Sequence, residues 1–424
     1  MKKVLIISYY WPPAGGPGVQ RWLKFVKYLR DFGIDPIVYV PENPHYPIRD
    51  TTLLSEIPKG ITLLKRPIFE PYALASLVSS KKTRRISSGV IETKNQSFLE
   101  KTLLWIRGNL FIPDARKYWV RPSIDYLGKI LERENIGTIV TTGPPHSVHL
   151  IGHGLKQRHR VKWVADFRDP WTSIGYHNQL KLTAYARKRH ESFEREVLRA
   201  ADQIIATSHQ TKLEFEKITE RPISVITNGY DLELDQTAPT LDEKFTLSHI
   251  GSLLSGRNPK NLWKVLSEMV RASDEFKNSV QIDLVGVVSP EILDDLERNG
   301  LVPYTKTLGY LTHKEAVQKQ RRSQVLLLLE IDSELTQGII PGKLFEYLAS
   351  GRPILGIGPK HWEAGVIIEK TETGKAFDHT EEAALKIVIW DWFKKYRLSN
   401  LKVTGVGIQD YSRRALTEKL AKHL

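Results

Sequence analysis

At three places in this chain a glycine-rich turn leads into a helix, and accessible backbone N–H groups at a helix start suit a phosphate-bearing ligand. The sharpest is Gln337-Gly338-Ile339-Ile340-Pro341-Gly342-Lys343-Leu344-Phe345-Glu346-Tyr347-Leu348-Ala349-Ser350-Gly351-Arg352-Pro353-Ile354. Its Gly/Pro-rich loop leads into an amphipathic helix, Gly351 ends that helix, and a buried strand follows. Backbone N–H groups and the Lys343 ammonium at a helix N-terminus attract an anion. Glu346, one turn inside, is positioned to accept hydrogen bonds from ribose hydroxyls. The segment reads as a nucleotide clamp, with Gly338, Ile339, Ile340 and Leu344 beside the two charged residues.

The second loop, Gly251-Ser252-Leu253-Leu254-Ser255-Gly256-Arg257-Asn258-Pro259-Lys260-Asn261, closes a strand and opens a helix. Gly251, Arg257 and Lys260 are candidates for holding a diphosphate at the strand's carboxyl end. A solvated pair of cations on an ordinary loop is the competing reading. The third loop, Ala14-Gly15-Gly16-Pro17-Gly18, joins the first strand to the first helix. Three glycines within four residues, beside two further prolines, exceed what a tight turn needs, so Gly15 and Gly16 are expected to approach a ligand. The loop has neither the Gly-x-Gly-x-x-Gly spacing of dinucleotide sites nor the Gly-Lys-Ser/Thr ending of nucleoside triphosphatases.

These loops need a scaffold that aims strand ends at helix starts. Short apolar runs at 3–8, 35–41, 137–143, 162–167, 203–208 and 223–228 alternate with helix-like stretches, the signature of a parallel sheet covered by helices. The pattern lapses at 232–244 and restarts with runs at 245–251, 281–287, 305–310, 324–331 and 353–357. We therefore expect an α/β chain of two Rossmann-like domains facing across a cleft: 1–231 with an insertion at about 68–122, a linker at 232–244, and a second domain at 245–410. A last helix at 411–424, with Leu416 and Leu420 in register, is expected to pack back on the first domain. The insertion holds a basic run at 81–85 and a helix whose stripe is Leu99, Leu103, Ile106 and Leu110. Packing on its own domain is the expected use of that stripe, with a membrane surface as the alternative.

Composition narrows the partners. The formal charge of +14 attracts phosphate-rich ligands, anionic lipid or nucleic acid without choosing among them. The absence of cysteine removes disulfides and thiolate chemistry. No apolar run approaches the roughly 20 residues needed to span a bilayer, and residues 4–8 meet Trp11-Pro12-Pro13 instead of a signal cleavage site, so a cytoplasmic location is expected.

Taken with the Asn228-Gly229-Tyr230-Asp231 junction, the three loops resemble those of the large retaining glycosyltransferase family of GT-B fold, family 4 or group 1. That family contains many bacterial surface-polysaccharide and lipopolysaccharide sugar transferases, and the resemblance spans nearly the whole chain. It implies transfer of a sugar, with retention and without a metal or other cofactor, from a nucleotide diphosphate sugar to a glycan or lipid-linked acceptor. An anionic membrane face is an implied partner and nucleic acid is not. In that family the second-domain helix bears two glutamates with seven residues between them; Glu346 matches the later one, which binds ribose, and Gly338 occupies the earlier position. The phosphate-binding arginine and lysine positions fall on Ser252 and Arg257.

The stretch Ala165-Asp166-Phe167-Arg168-Asp169-Pro170-Trp171 lies where the family carries a histidine and an aspartate facing the acceptor, so Asp166, Arg168 and Asp169 are acceptor-side candidates. Arg168 or Lys343 as a purely structural partner for Asp166 or Asp169 is the competing reading. Among His146, His149 and His153 no carboxylate completes a metal set at a recognised spacing; His146, nearest the strand end, is retained as an acceptor-side residue. The expected catalytic group is thus Asp166, His146, Arg257 and Lys343. A nucleotide-sugar epimerase of the same fold, or a basic membrane- or nucleic-acid-binding protein without catalysis, are the rival functions.

Overall fold

The computed structural model describes residues 1–70, 98–173, 180–231 and 239–424. The basic run at 81–85 and residues 232–238 of the expected linker lie outside the described residues. The chain forms two compact units: Met1–Asn228 together with Arg413–Leu424, and Gly229–Ser412.

The first unit holds β1 (Lys2–Ser8), β2 (Ile34–Pro41), β3 (Thr62–Arg66), β4 (Thr138–Gly143), β5 (Lys162–Phe167), β6 (Gln203–Ala206) and β7 (Ile223–Val225). They form one parallel sheet in the order β3-β2-β1-β4-β5-β6-β7. The central strands are buried along nearly their whole length, because helices cover both faces of such a sheet. β3 escapes the apolar-run reading for the converse reason: Thr-Leu-Leu-Lys-Arg is an edge strand with no fully buried residue. The helix Arg413–Ala421 belongs to this unit, and Leu416, Leu420 and Leu424 join its core.

The second unit repeats the plan with β8 (Phe245–Ile250), β9 (Val280–Val285), β10 (Thr305–Gly309), β11 (Val325–Leu329), β12 (Ile354–Gly358) and β13 (Gly374–Asp378), parallel in the order β10-β9-β8-β11-β12-β13. β13 is again a half-exposed edge strand without an apolar run. In both sheets the order reverses beside the first strand. Loops leaving β1 and β4, or β8 and β11, therefore diverge and open a crevice at the carboxyl ends, where ligands of such sheets bind.

The helix Phe98–Leu110 corrects one expectation. The Leu99 side chain lies outside those described; among the others, Leu104 and Gly108 are buried positions, Leu103 and Ile106 are half-buried, and Leu110 is 54% exposed. The cause is Gly108, where an added Cβ would lie 2.7 Å from Leu182 and 2.9 Å from Leu180. The helix approaches residues 180–182 through its glycine, which turns the buried face away from Leu110. Among the described residues no helix is long and apolar enough to cross a membrane.

Candidate functional site

In the second unit the crevice is built on three elements. β8 ends at Ile250, and Gly251 turns the chain with φ 111°, a conformation that favours glycine. The turn runs alongside the loop after β9: Leu253 donates its N–H to the Val287 carbonyl at 2.8 Å and accepts from Ser289 at 3.0 Å. The helix Lys343–Ser350 starts beside it, driven into place by Leu344, Phe345, Tyr347 and Leu348, all buried. The Tyr347 hydroxyl accepts the Ile250 N–H at 3.1 Å and so fixes the helix against the end of β8. Gly351 ends the helix at φ 69°.

This packing carries Lys343 across the end of β8. Its Nζ lies 3.2 Å from His249 Nε2 and donates to the Ile250 carbonyl at 3.1 Å, and a Cβ on Gly251 would stand 3.6 Å away. Burial pushes the Lys343 amine down to about 7; the Arg257 charge acts the same way, against Glu330 and Glu346. An anion arriving here meets an amine that lacks a full counter-charge. Within the first turn, Leu344 donates its N–H to Pro341 and Phe345 to Gly342, leaving the N–H groups of Gly342 and Lys343 unused by that turn.

Three of the expected donor residues have other employment. Arg257 makes a two-pronged pair with Glu330, Nε to Oε1 at 2.9 Å and Nη2 to Oε2 at 3.2 Å, and Glu330 is fully buried at the end of β11. Its charge is largely cancelled by that pairing. The Leu344 side chain is buried in the core and holds the start of the helix in place. Ile339 spends its N–H on Thr336 and its carbonyl on Trp362 Nε1, the latter at 2.8 Å, which braces the loop holding Gly338 and Ile340. Lys260 is exposed at the first position of the helix Lys260–Ala272. Glu346 is half-buried and accepts from Gln320 Nε2 at 2.8 Å, leaving carboxylate capacity for a ligand.

In the first unit each loop glycine has its own structural reason. At Gly15 a Cβ would lie 2.9 Å from Ile48; Gly16 has φ 98° as the N-cap of Pro17–Leu29; at Gly18 a Cβ would be 1.8 Å from an Arg168 guanidinium nitrogen. Arg168 donates Nε to the Gly143 carbonyl at 3.2 Å, donates Nη2 to the Pro144 carbonyl and lies over the Tyr10 ring.

Asp166 is the largest correction. It is fully buried, and its two oxygens accept from Arg21 Nη2 at 2.8 Å, Trp22 Nε1 at 2.7 Å and Thr142 Oγ1 at 2.8 Å. Burial raises its pKa, but the Arg21 charge and these donors outweigh that and hold the carboxyl below its usual range. It is a tie between β4, β5 and the first helix, out of reach of an acceptor. Asp169 is less withdrawn: it is half-buried just after the strand end, with burial pushing its carboxyl above the usual range. His146 is also withdrawn, 6% exposed and stacked on Trp171 with ring centroids 4.6 Å apart. His149 bonds Thr141 Oγ1 at 2.9 Å and is kept neutral by burial, its pKa pushed down to about 3; His153 lies against Trp163.

Comparison with solved structures decides the architecture. The chain superposes over 99% of its length on 98% of the lipopolysaccharide outer core galactosyltransferase WaaB at TM-score 0.58 and 12% identity. It covers 100% of itself and 99% of an S. aureus TarM mutant in complex with fondaparinux, alpha-GlcNAc-glycerol and UDP, at 0.57 and 11%. A putative UDP-N-acetylglucosamine 2-epimerase from Listeria monocytogenes matches at 0.53 and 11%, over 99% of this chain and 95% of that one. The fold is GT-B. At such identities the likeness speaks for fold alone. Residues 90–234, about a third of the chain and all but its last few within the first unit, match the model of Glycosyltransferase Family 4. No curated protein matches the sequence.

Within that GT-B frame, sequence reasoning missed two residues that govern the second-unit crevice, His249 and Glu330. Each lies at or just beyond the end of an apolar strand, His249 in Phe-Thr-Leu-Ser-His-Ile and Glu330 directly after Val-Leu-Leu-Leu-Leu. A polar residue closing a buried run was the available signal, since such a group needs a partner to be buried at all.

Proposed function

We propose that this protein is a glycosyltransferase that takes a sugar from a nucleotide diphosphate sugar and attaches it to a glycan or lipid-linked acceptor in bacterial surface-polysaccharide synthesis. The observation that carries this reading is the under-compensated Lys343 amine at the carboxyl end of β8, beside the opening turn of a helix. The family 4 match and the likeness in fold to WaaB and TarM support it.

Cleavage of the glycosyl phosphate bond leaves negative charge on the departing diphosphate and positive charge on the sugar ring. Lys343, the N–H groups of Gly342 and Lys343, and the remaining donors of Arg257 meet the former. Retention of configuration follows from the family resemblance: the acceptor attacks on the face the leaving group vacates, a diphosphate oxygen receives its proton, and no metal or enzyme nucleophile takes part. Asp169 takes over from Asp166 as the carboxylate that orients the acceptor hydroxyl. The setting is the cytoplasm, peripheral to the inner face of the plasma membrane. The epimerase alternative gains no residue of its own from the site.

Glu346 supplies the test. Glu346→Ala is expected to weaken nucleotide-sugar binding about tenfold or more, since a hydrogen bond to a charged group contributes about 1.5–3 kcal/mol. Loss of the acceptor for the buried Gln320 amide costs roughly 1–3 kcal/mol, so the melting temperature is expected to fall by a few degrees while the fold persists. Titration calorimetry beside thermal unfolding reads both, and unaltered affinity would remove Glu346 from the ribose position.

A further inference from the structure

Lys343 is held in place by a neutral group where a carboxylate would be the ordinary partner. His249 is fully buried in β8; its Nδ1 lies 3.2 Å from the Leu327 carbonyl and its Nε2 3.2 Å from Lys343 Nζ. The Leu327 carbonyl can only accept, and with the ring proton on Nδ1 the Nε2 atom presents a lone pair to the amine; the Ser252 backbone also bonds the ring. The ring cannot take a second proton cheaply: burial and then the Lys343 charge push its pKa well below the usual value. Lys343 thus spends two N–H groups on the uncharged acceptors His249 Nε2 and Ile250 O and keeps a third for a ligand.

We infer that His249 is a positioning residue for diphosphate binding, acting only through Lys343, and that the bound diphosphate itself is the counter-charge of that lysine. The inference rests on the nucleotide diphosphate reading of the crevice. A carboxylate at this position would satisfy Lys343 internally and compete with the ligand; an imidazole aims the amine and leaves its charge unspent. The charged groups facing Lys343 fit this division. Arg257, on the loop after β8, is repulsive but tied to Glu330 at the end of β11, and Glu346 lies on the amine's own helix.

The consequence is proton linkage. In the ligand-free protein the amine is about half protonated near pH 7, and a dianion beside it raises its pKa. Binding is then strongest below pH 7 and weakens as pH rises, with close to one proton taken up at about pH 8.

The experiment is calorimetric titration of UDP and GDP into the full chain at pH 6.5 and 8, in two buffers of different ionisation enthalpy. The parent is expected to take up a proton at pH 8. His249→Leu is expected to lose affinity about tenfold and to take up more of a proton than the parent at pH 6.5, because hydrocarbon in place of the Nε2 acceptor disfavours the ammonium further in the ligand-free protein, and His249→Gln is expected to restore both. A folded His249→Leu with parental affinity and uptake would overturn the proposal while leaving the nucleotide reading standing. Absence of nucleotide binding by the parent would overturn both. Should His249→Leu fail to fold, histidine ¹⁵N shifts in the parent decide: a proton on Nδ1 and a lone pair on Nε2 support the assignment, and the opposite tautomer defeats it.

Discussion

Lys343→Ala is expected to lower the turnover of the nucleotide sugar by about 10² to 10³, the usual effect of removing one fixed donor from a site of developing negative charge. The size of the loss follows from how little else is present to share the load. Arg257 is paired with the buried Glu330, and Lys260 is exposed at a helix start. Lys343 combines proximity to the strand end with an amine whose two hydrogen-bond acceptors are uncharged. Folding is expected to change little, because a half-buried amine held by two neutral acceptors contributes hydrogen bonds but also pays for desolvation. Steady-state kinetics with thermal unfolding as control separates the two; a drop in melting temperature that matches the drop in rate would reassign Lys343 to the scaffold.

For Asp166 the expectation is reversed. Asp166→Ala strands the fully buried Arg21 guanidinium without its counter-ion and leaves the Trp22 and Thr142 donors unpaired. Removing one partner of a buried pair typically costs about 3–5 kcal/mol. At about 2–4 °C per kcal/mol for a unit of this size, the melting temperature of the first unit should fall by roughly 6–20 °C. The guanidinium still donates to the carbonyls of Ile226 and Thr227, at 2.9 and 2.8 Å, which softens the loss without removing the unpaired charge. If instead the variant keeps its melting temperature and loses only activity, Asp166 belongs to the chemistry after all.

Asp166 also illustrates what the sequence could and could not disclose. Strand-to-helix alternation identified the two sheets, because central parallel strands such as β1 and β11 must be apolar on both faces. It passed over β3 and β13, whose edge positions relax that demand. The helix in the segment 337–354 and its end at Gly351 were legible because the glycines, the proline and the amphipathic run that set them are all local. What decides whether a charge is free lies far away along the chain. Arg21 reaches Asp166 across 145 positions, Glu330 reaches Arg257 across 73, and Lys343 reaches His249 across 94. Local spacing named Asp166 and Arg257 as charges at strand ends; the long-range partners turned one into a buried tie and the other into half of an ion pair. The same blindness let the apolar letters of Leu103, Ile106 and Leu110 stand for a buried face that Gly108 in fact directs elsewhere.

The claim on which the proposed function depends is that protein-borne positive ends alone neutralise a nucleotide's diphosphate in the second unit. Its most direct measurement is a thermal-shift panel of nucleotide sugars against the intact chain, run once with a chelator and once with magnesium. Stabilisation by at least one uridine or guanosine diphosphate sugar in the presence of chelator is the result expected. A shift that appears with magnesium and vanishes with chelator would contradict the account.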